Sequence, residues 1–523
     1  MDRRAWLRLM AWGGAAATLG CGRRAGRRAL RVALPGQPAT LDPNRATDAI
    51  SSLALAQLHE GLTRHDADLL PQPALAQRWS FSPDYTSVTF TLREGIAWSD
   101  GAPIVAQHFV DSWLRLLDPE TAAEYAYFLF DVEGAEAFNS GAGPAEAVGV
   151  RAPDARTLEV RLRRPAPYFP HIPSFMVTYP VRLDLIARHG PRFTAPEHLV
   201  CSGPFVMRDH EPDYRMVLTP NPRYALGEVA MERLELYQIS EKSTALNLFV
   251  SGHLDVVLDM LPLAIPHMSG DPSYYNGPKL EVRYVGFHTQ APGLRDPRAR
   301  EALSKAIRRE ELPAVLRGGE LPTGCWLPPG MFGHAPASGV GYDPGAARAA
   351  LAAAGFAGGE GFPQTTLLFR AGDDWRLFAE NLQQQWRREL GLEVAIQVRD
   401  QKVFFQEIDG DAPPPMHLAR WVADFPDPEN FMSLFTSSSG NNALGFAEPE
   451  YDRLVDAAVR TDDRRERLEL YTRAQTILVA EQAAIAPVYV AAQNVLRRPD
   501  LEGLAFNAMG DVFFGPTRWR SPS

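Results

Sequence analysis

Cysteine is nearly absent: the 523-residue chain holds three, and one of them, Cys21, sits in an N-terminal leader. The remaining Cys201 and Cys325 are too few for a disulfide scaffold, and neither has a thiol or histidine at metal-ligand spacing. Two separate buried thiols are expected. Positive charge is also short. A formal net charge of −10 argues against nucleic-acid partners and fits a solvated acidic surface. Beyond the leader, no apolar run approaches the length of a membrane span. Catalytic signatures are missing as well: there is no phosphate-binding loop, G-x-S-x-G or H-E-x-x-H, and the 12 histidines show no ligand spacing. No nucleophile is paired with a base, so no catalytic residue, metal or cofactor is expected.

What is present begins with the leader. Arg3, Arg4 and Arg8 precede a short, Ala- and Gly-rich apolar run over residues 9–20, and a basic stretch follows Cys21. A charged start, a short apolar run and small residues before a cut describe a secretory signal. Arg3-Arg4-Ala5-Trp6-Leu7-Arg8 partly resembles a twin-arginine export motif, leaving the export route open. Thr18-Leu19-Gly20-Cys21 resembles a lipobox whose Leu is displaced by one position. On that resemblance the signal is cleaved before Cys21, which becomes the lipid attachment of a periplasmic or extracytoplasmic, membrane-anchored protein. The alternative is ordinary cleavage and a soluble product.

After the leader, hydrophobic content of 45% and 44 prolines fit a globular, loop-rich chain. At roughly 150 residues per domain, the length suggests about three to four units. Residues 30–34 read as a strand, and Leu53, Leu55, Leu58 and Leu62 give residues 50–62 helical spacing. Residues 85–93 alternate, with Val88, Phe90 and Leu92 on one face. A helix is expected from about Pro103 to Leu117, and another strand at Leu158, Val160 and Leu162. Asp296-Pro297 and Asp343-Pro344 cap helices, the second ended by Gly355. A further helix runs from about Asp374 to Leu390, stops at Gly391 and leads into a strand at Val394, Ile396 and Val398. Strand–helix–strand order with polar caps and glycine stops gives an α/β fold.

The most informative stretch is residues 420–431, Arg-Trp-Val-Ala-Asp-Phe-Pro-Asp-Pro-Glu-Asn-Phe. Asp427 and Pro428 read as an N-cap and first helical residue, which leaves Asp424 without a local task. Set between Trp421 and Phe425 just before a helix, with Arg420 its sole basic neighbour, Asp424 is well placed to meet a cation in an enclosed site. Asn441 and Asn442 read as turn residues.

Several blocks then match one family in order. They include Leu41-Asp42-Pro43 with Glu60-Gly61-Leu62, and Phe90-Thr91-Leu92-Arg93 through Trp98-Ser99-Asp100-Gly101. Cys201-Ser202-Gly203-Pro204-Phe205, the segment from Asp296 to Leu303, and Trp421 to Phe431 continue the series. From about residue 30 to 515 the chain resembles extracytoplasmic solute-binding proteins of the dipeptide/oligopeptide ABC-transporter family. The resemblance implies an α/β, two-lobed periplasmic-binding-protein fold, class II-like, with an extra domain inserted in lobe 1. Lobe 1 would comprise residues 30–59, 185–282 and 490–523, the inserted domain 60–184, and lobe 2 residues 283–489. It implies a monomer that closes its lobes over a short peptide and serves an ABC permease and ATPase. Asp424 matches the position whose carboxylate pairs with a ligand's α-ammonium. Trp421, Val422, Tyr125, Thr47 and Ala49 match positions lining that pocket. The family's bases for a peptide C-terminus are not evident: Leu418 occupies one such position, and Glu407 and Asp409 stand where Arg or His is expected. A same-fold receptor for a metal chelate, haem, sugar or cell-wall peptide, or a sensory protein, is the alternative.

Overall fold

The computed structural model describes residues 29–268, 270–410 and 412–520; Cys21, the expected lipid attachment, lies outside them. Two sheets of different character organise the chain. The first strand, β1 (Ala29–Leu34), leads into helix α1 (Ala49–Leu58). Strands β2 (Ala76–Phe81) and β3 (Ser87–Leu92), helix α2 (Ala106–Leu117), and strands β4 (Val150–Arg151) and β5 (Thr157–Arg161) follow. Strands β2, β3, β5 and β4, in that order, form a separate antiparallel four-stranded sheet. Its strand β3 alternates as the sequence suggests, burying Val88, Phe90 and Leu92 against Phe109 and Trp113 of α2.

The chain then builds β6 (Phe205–Glu211), β7 (Arg215–Pro220), β8 (Arg233–Gln238), β9 (Val256–Val257) and the long β10 (Tyr274–Phe287). Helices α3 (Pro297–Lys305) and α4 (Pro344–Ala353) precede β11 (Thr365–Arg370), α5 (Asp373–Leu390), β12 (Val394–Arg399) and β13 (Met416–Val422). Helices α6 (Glu429–Met432), α7 (Pro449–Ala458) and α8 (Arg464–Thr476) come next, and β14 (Ile485–Arg497) closes the series. The large sheet has 11 strands, running β12-β11-β13-β10-β14-β9-β1-β8-β7-β6 with one short strand off this path. Strands β10 and β14 lie antiparallel and run through both halves of it. At one end β10 pairs with β13, and at the other β14 pairs with β9 through Leu496 and Arg497. Register shifts interrupt their pairing between Pro278 and Val282 and again at Arg283 and Tyr284, the irregularities that let a sheet bend. No helix among the described residues is long and apolar enough to cross a membrane.

Local chemistry accounts for most boundaries. Asp296 and Asp343 accept from backbone N–H groups at the starts of α3 and α4. Gly391 ends α5 at φ 69°, a left-handed angle that a β-carbon disfavours. Two expected helices come out shorter. Helix α2 begins at Ala106 because Pro103 pairs with Ala97 in a β-bridge. Helix α1 ends at Leu58 because the chain must bring Gly61 against the Pro173 carbonyl, where a β-carbon would sit only 2.1 Å away. Cys201 and Cys325 are both buried and unbonded, and burial pushes the Cys201 thiol up to about 12.

Candidate ligand-binding site

Strand β13 is the framework of the site. It pairs along its whole length with β10, from Met416 opposite Phe287 to Val422 opposite Glu281. On its other side β11 meets only Met416 and His417, then ends at Arg370. Residues 418–422 therefore keep one edge without a strand partner among the described residues. Strand edges are the usual template for a further chain. Beyond β13 the backbone turns, and Asp424 follows at once.

Asp424 is held by its own loop. Its backbone N–H donates to Asn430 Oδ1 at 3.0 Å, and Asn430 Nδ2 donates to Asp424 Oδ2 at 3.3 Å. The same Asn430 oxygen accepts from Trp421 Nε1 at 3.0 Å, so one amide fixes both the carboxylate and the indole. Across the gap, Tyr127 Oη donates to Asp424 Oδ1 at 3.5 Å. Among the described residues no cation pairs with Asp424. Burial pushes its carboxyl above the ordinary range, and the bonds from Asn430 and Tyr127 only partly offset this.

Of the other expected residues, Tyr125 and Thr47 connect to this corner through Tyr127. Tyr125 packs edge-on against the Tyr127 ring at 5.6 Å, and its hydroxyl donates to the Thr47 carbonyl at 3.2 Å. Asp424 is near enough to disfavour ionisation of the Tyr125 phenol, after burial the next contributor. Val422 is exposed at the end of β13. Ala49 opens α1 and is exposed. Asp427 accepts from the Glu429 N–H as a helix start, with α6 itself beginning at Glu429 after Pro428. It also carries a second task that the sequence did not disclose: Arg467 Nη2 donates to both its oxygens, at 2.7 and 2.9 Å, with both side chains buried.

Two cavities of about 170 Å³ each flank this edge. The first, beside Asp424, is acidic: Glu60 and Asp511 line it, both carboxyls raised by burial. Glu60 accepts from Tyr224 Oη at 2.6 Å, and Asp511 from Asn507 Nδ2 at 2.9 Å. The second lies at the opposite end, between Trp421, Leu418 and Phe404. Two bases, Arg370 and Arg420, line this one, so the expectation of no base near Leu418 is corrected. Arg420 shares the face of Leu418 at the two-residue period of a strand, and Arg370 ends the neighbouring strand. The sequence reading missed Tyr127, Asn430 and Arg370. The nearest signal was local: Tyr127 stands two residues from Tyr125, and Asn430 heads the helix that Asp427 announces.

Comparison with known proteins gives these features a context. Residues 71–443 match the model of bacterial extracellular solute-binding proteins, family 5. The oligopeptide-binding protein OppA of Bacillus subtilis is 29% identical over 507 residues, covering 94% of this chain and 92% of its own. The periplasmic murein peptide-binding protein MppA of Escherichia coli is 30% identical over 499 residues, covering 92% and 91%. The structure superposes on the unliganded open form of MppA with a TM-score of 0.85 at 28% identity, covering 95% of this chain and 98% of that one. Another structure of MppA superposes at 0.72. A strand edge without a strand partner among the described residues, leading to a carboxylate that no described cation pairs, thus sits on a shared, two-lobed fold, and the chain belongs to the family 5 bacterial extracellular solute-binding proteins.

Proposed function

We propose that this protein is the substrate-binding subunit of an ABC importer and captures short peptides by adding them as a strand to the free edge of β13. The observation that carries this reading is the edge at residues 418–422, which leads directly to a half-buried carboxylate with no cation. Main-chain hydrogen bonds along that edge would hold a peptide whatever its side chains. Asp424 supplies the polarity: a peptide's α-ammonium loses its hydration on entering the cleft and regains a partner there. Trp421, Tyr125 and Tyr127 wall the same corner, with Thr47 and Ala49 at its mouth.

In this reading residues 30–59, 185–282 and 490–523 form one lobe carrying the inserted domain 60–184, and residues 283–489 form the other. Strands β10 and β14 join them, and their register shifts at 278–284 are the natural flexing point. The likeness to an unliganded open form supports an empty receptor with its lobes apart. Closure over the ligand is the whole mechanism, with no covalent chemistry. The protein would act outside the cytoplasm as a monomer, held to the membrane by a lipid on Cys21, and would hand peptides to a permease and its ATPase.

Calorimetry with free and N-acetylated peptides tests the reading. Asp424→Asn weakens free peptides by about ten- to one-hundred-fold, the range for a hydrogen bond to a charged group, and leaves the weak binding of acetylated peptides unchanged. Equal losses for both would remove the ammonium assignment. Mass spectrometry of ligands released from the purified protein identifies the class directly; sugars or haem in place of peptides would overturn it.

A further inference from the structure

Asp424 sits where two parts of the molecule meet, and its place is set from both. On the large-sheet side, Ala423 and Phe431 are buried in one core with Trp421 packed against it, and Arg467 of α8 holds Asp427. On the other side, Phe425 packs into the separate core that the four-stranded sheet builds with α2. Its ring stacks on Tyr168, with centroids 5.3 Å apart and planes 8° from parallel. Four residues on, Glu429 is buried and accepts from Arg164 Nη2 at 3.1 Å. Arg164 and Tyr168 follow β5 closely, and Asp131 ties them together. It accepts from Arg164 Nε at 2.9 Å and from Tyr168 Oη at 2.6 Å. Arg164 Nη2 also donates to Tyr168 Oη at 2.8 Å, which closes the network. With Tyr127 on Asp424 itself, this side of the molecule touches the 424–429 loop at three points.

The side-chain bonds of Asp424 are long. At 3.3 Å from Asn430 and 3.5 Å from Tyr127 they lie beyond the usual range of about 2.7–3.2 Å, so the carboxylate takes its position mainly from the backbone. That backbone is gripped on both flanks. Phe425 follows Asp424 immediately, and Glu429 precedes Asn430, whose amide holds the carboxylate and the Trp421 indole. We propose that Arg164 and Tyr168 are positioning residues for the ammonium receptor: they seat Asp424 from across the gap without touching the ligand. The proposal rests on the peptide reading above. The ring stack fixes the direction in which the chain leaves Asp424, and the Arg164 contact to Glu429 fixes the start of α6, where Asn430 stands. A receptor group seated before the ligand arrives has little freedom left to lose on binding. Release of either contact lets the carboxylate drift. The ammonium feels that drift far more than the peptide main chain, which meets β13 instead. Stability is a poor account of the pair, because 44% of the Arg164 side chain is exposed and ion pairs at such rims contribute little.

Calorimetry on the full mature chain, with Ala-Ala-Ala and N-acetyl-Ala-Ala-Ala as probes, tests this. The quantity read is the preference for the free over the acetylated peptide. Arg164→Ala and Tyr168→Leu each lower that preference about three- to ten-fold, the lower range for groups coupled through one network. Arg164→Lys, which keeps a cation near Glu429, restores part of the loss. In the Asp424→Asn background the first two substitutions change nothing further, because the group they position is gone. A packing role alone predicts equal weakening of both peptides, or additive losses in the double variants. Either result, or an unchanged preference, would overturn the proposal and leave the peptide reading standing. If neither peptide binds the wild type, the peptide reading falls and this assignment with it. Arg164, at the rim, is replaced without opening the core, so it carries the test should Tyr168→Leu fail to fold.

Discussion

Two aspartates three positions apart on one loop have opposite fates. Asp427 lies in a closed pocket where Arg467 grips both its oxygens, and Tyr471 and Phe332 surround that guanidinium at 5.5 and 5.6 Å. Asp424 lies in the open corner, held by an amide and a phenol and answered by no cation. Both lose hydration. Only the first recovers it from a cation, and the difference separates a carboxylate held in an ion pair from one that no described cation pairs. Glu429, next along, is intermediate. It is buried, and Arg164 approaches it at 3.1 Å but is shared with Asp131 at 2.9 Å.

The contrast can be broken most sharply at Asp427. Asp427→Ala strands the Arg467 charge in the interior and should cost about 3–5 kcal/mol in urea unfolding. Asp424→Ala should leave stability within about 1 kcal/mol of the wild type, since no ion pair is lost. Comparable costs for the two variants would erase the distinction. A smaller effect is expected from pH. Burial raises Glu429 to about 7 from an ordinary 4.5, so the folded state holds this proton more tightly than the unfolded chain. Its contribution to stability is complete below pH 4.5 and is lost as pH rises through about 7, on the order of 1–3 kcal/mol. Melting temperatures at pH 5 and pH 8 should converge in Glu429→Gln relative to the wild type. The smallest change belongs to Trp421→Phe. It removes the indole bond to Asn430 and should weaken peptide binding by about 1 kcal/mol through a less ordered Asp424, with stability little altered.

How much of this was legible in the sequence follows from the range of each contact. Helices α3, α4 and α5 could be read because Asp296, Asp343 and Gly391 act on their own neighbours. Helix α2 began later than its proline suggested, since Pro103 was taken by a bridge to Ala97, a pairing that no periodicity reveals. The reading of Asp424 as a partner for a cation came from its having no evident local task in the sequence. Its supports were not visible, because Tyr127 lies on another part of the fold, 297 residues away along the chain. Arg467, 40 residues from Asp427, was hidden for the same reason. Arg370 was the hardest to see: it becomes relevant only because β11 stops where β13 continues, and strand ends in a sheet are a property of topology.

The open edge of β13 has one more consequence. Unpaired backbone donors and acceptors invite any strand, including that of an identical molecule. Two empty copies pairing antiparallel across residues 418–422 in register would place Arg420 directly opposite Arg420. Like charges facing each other across a strand pair oppose that union. The exposed arginine at the centre of the edge therefore disfavours an in-register pairing of two such edges.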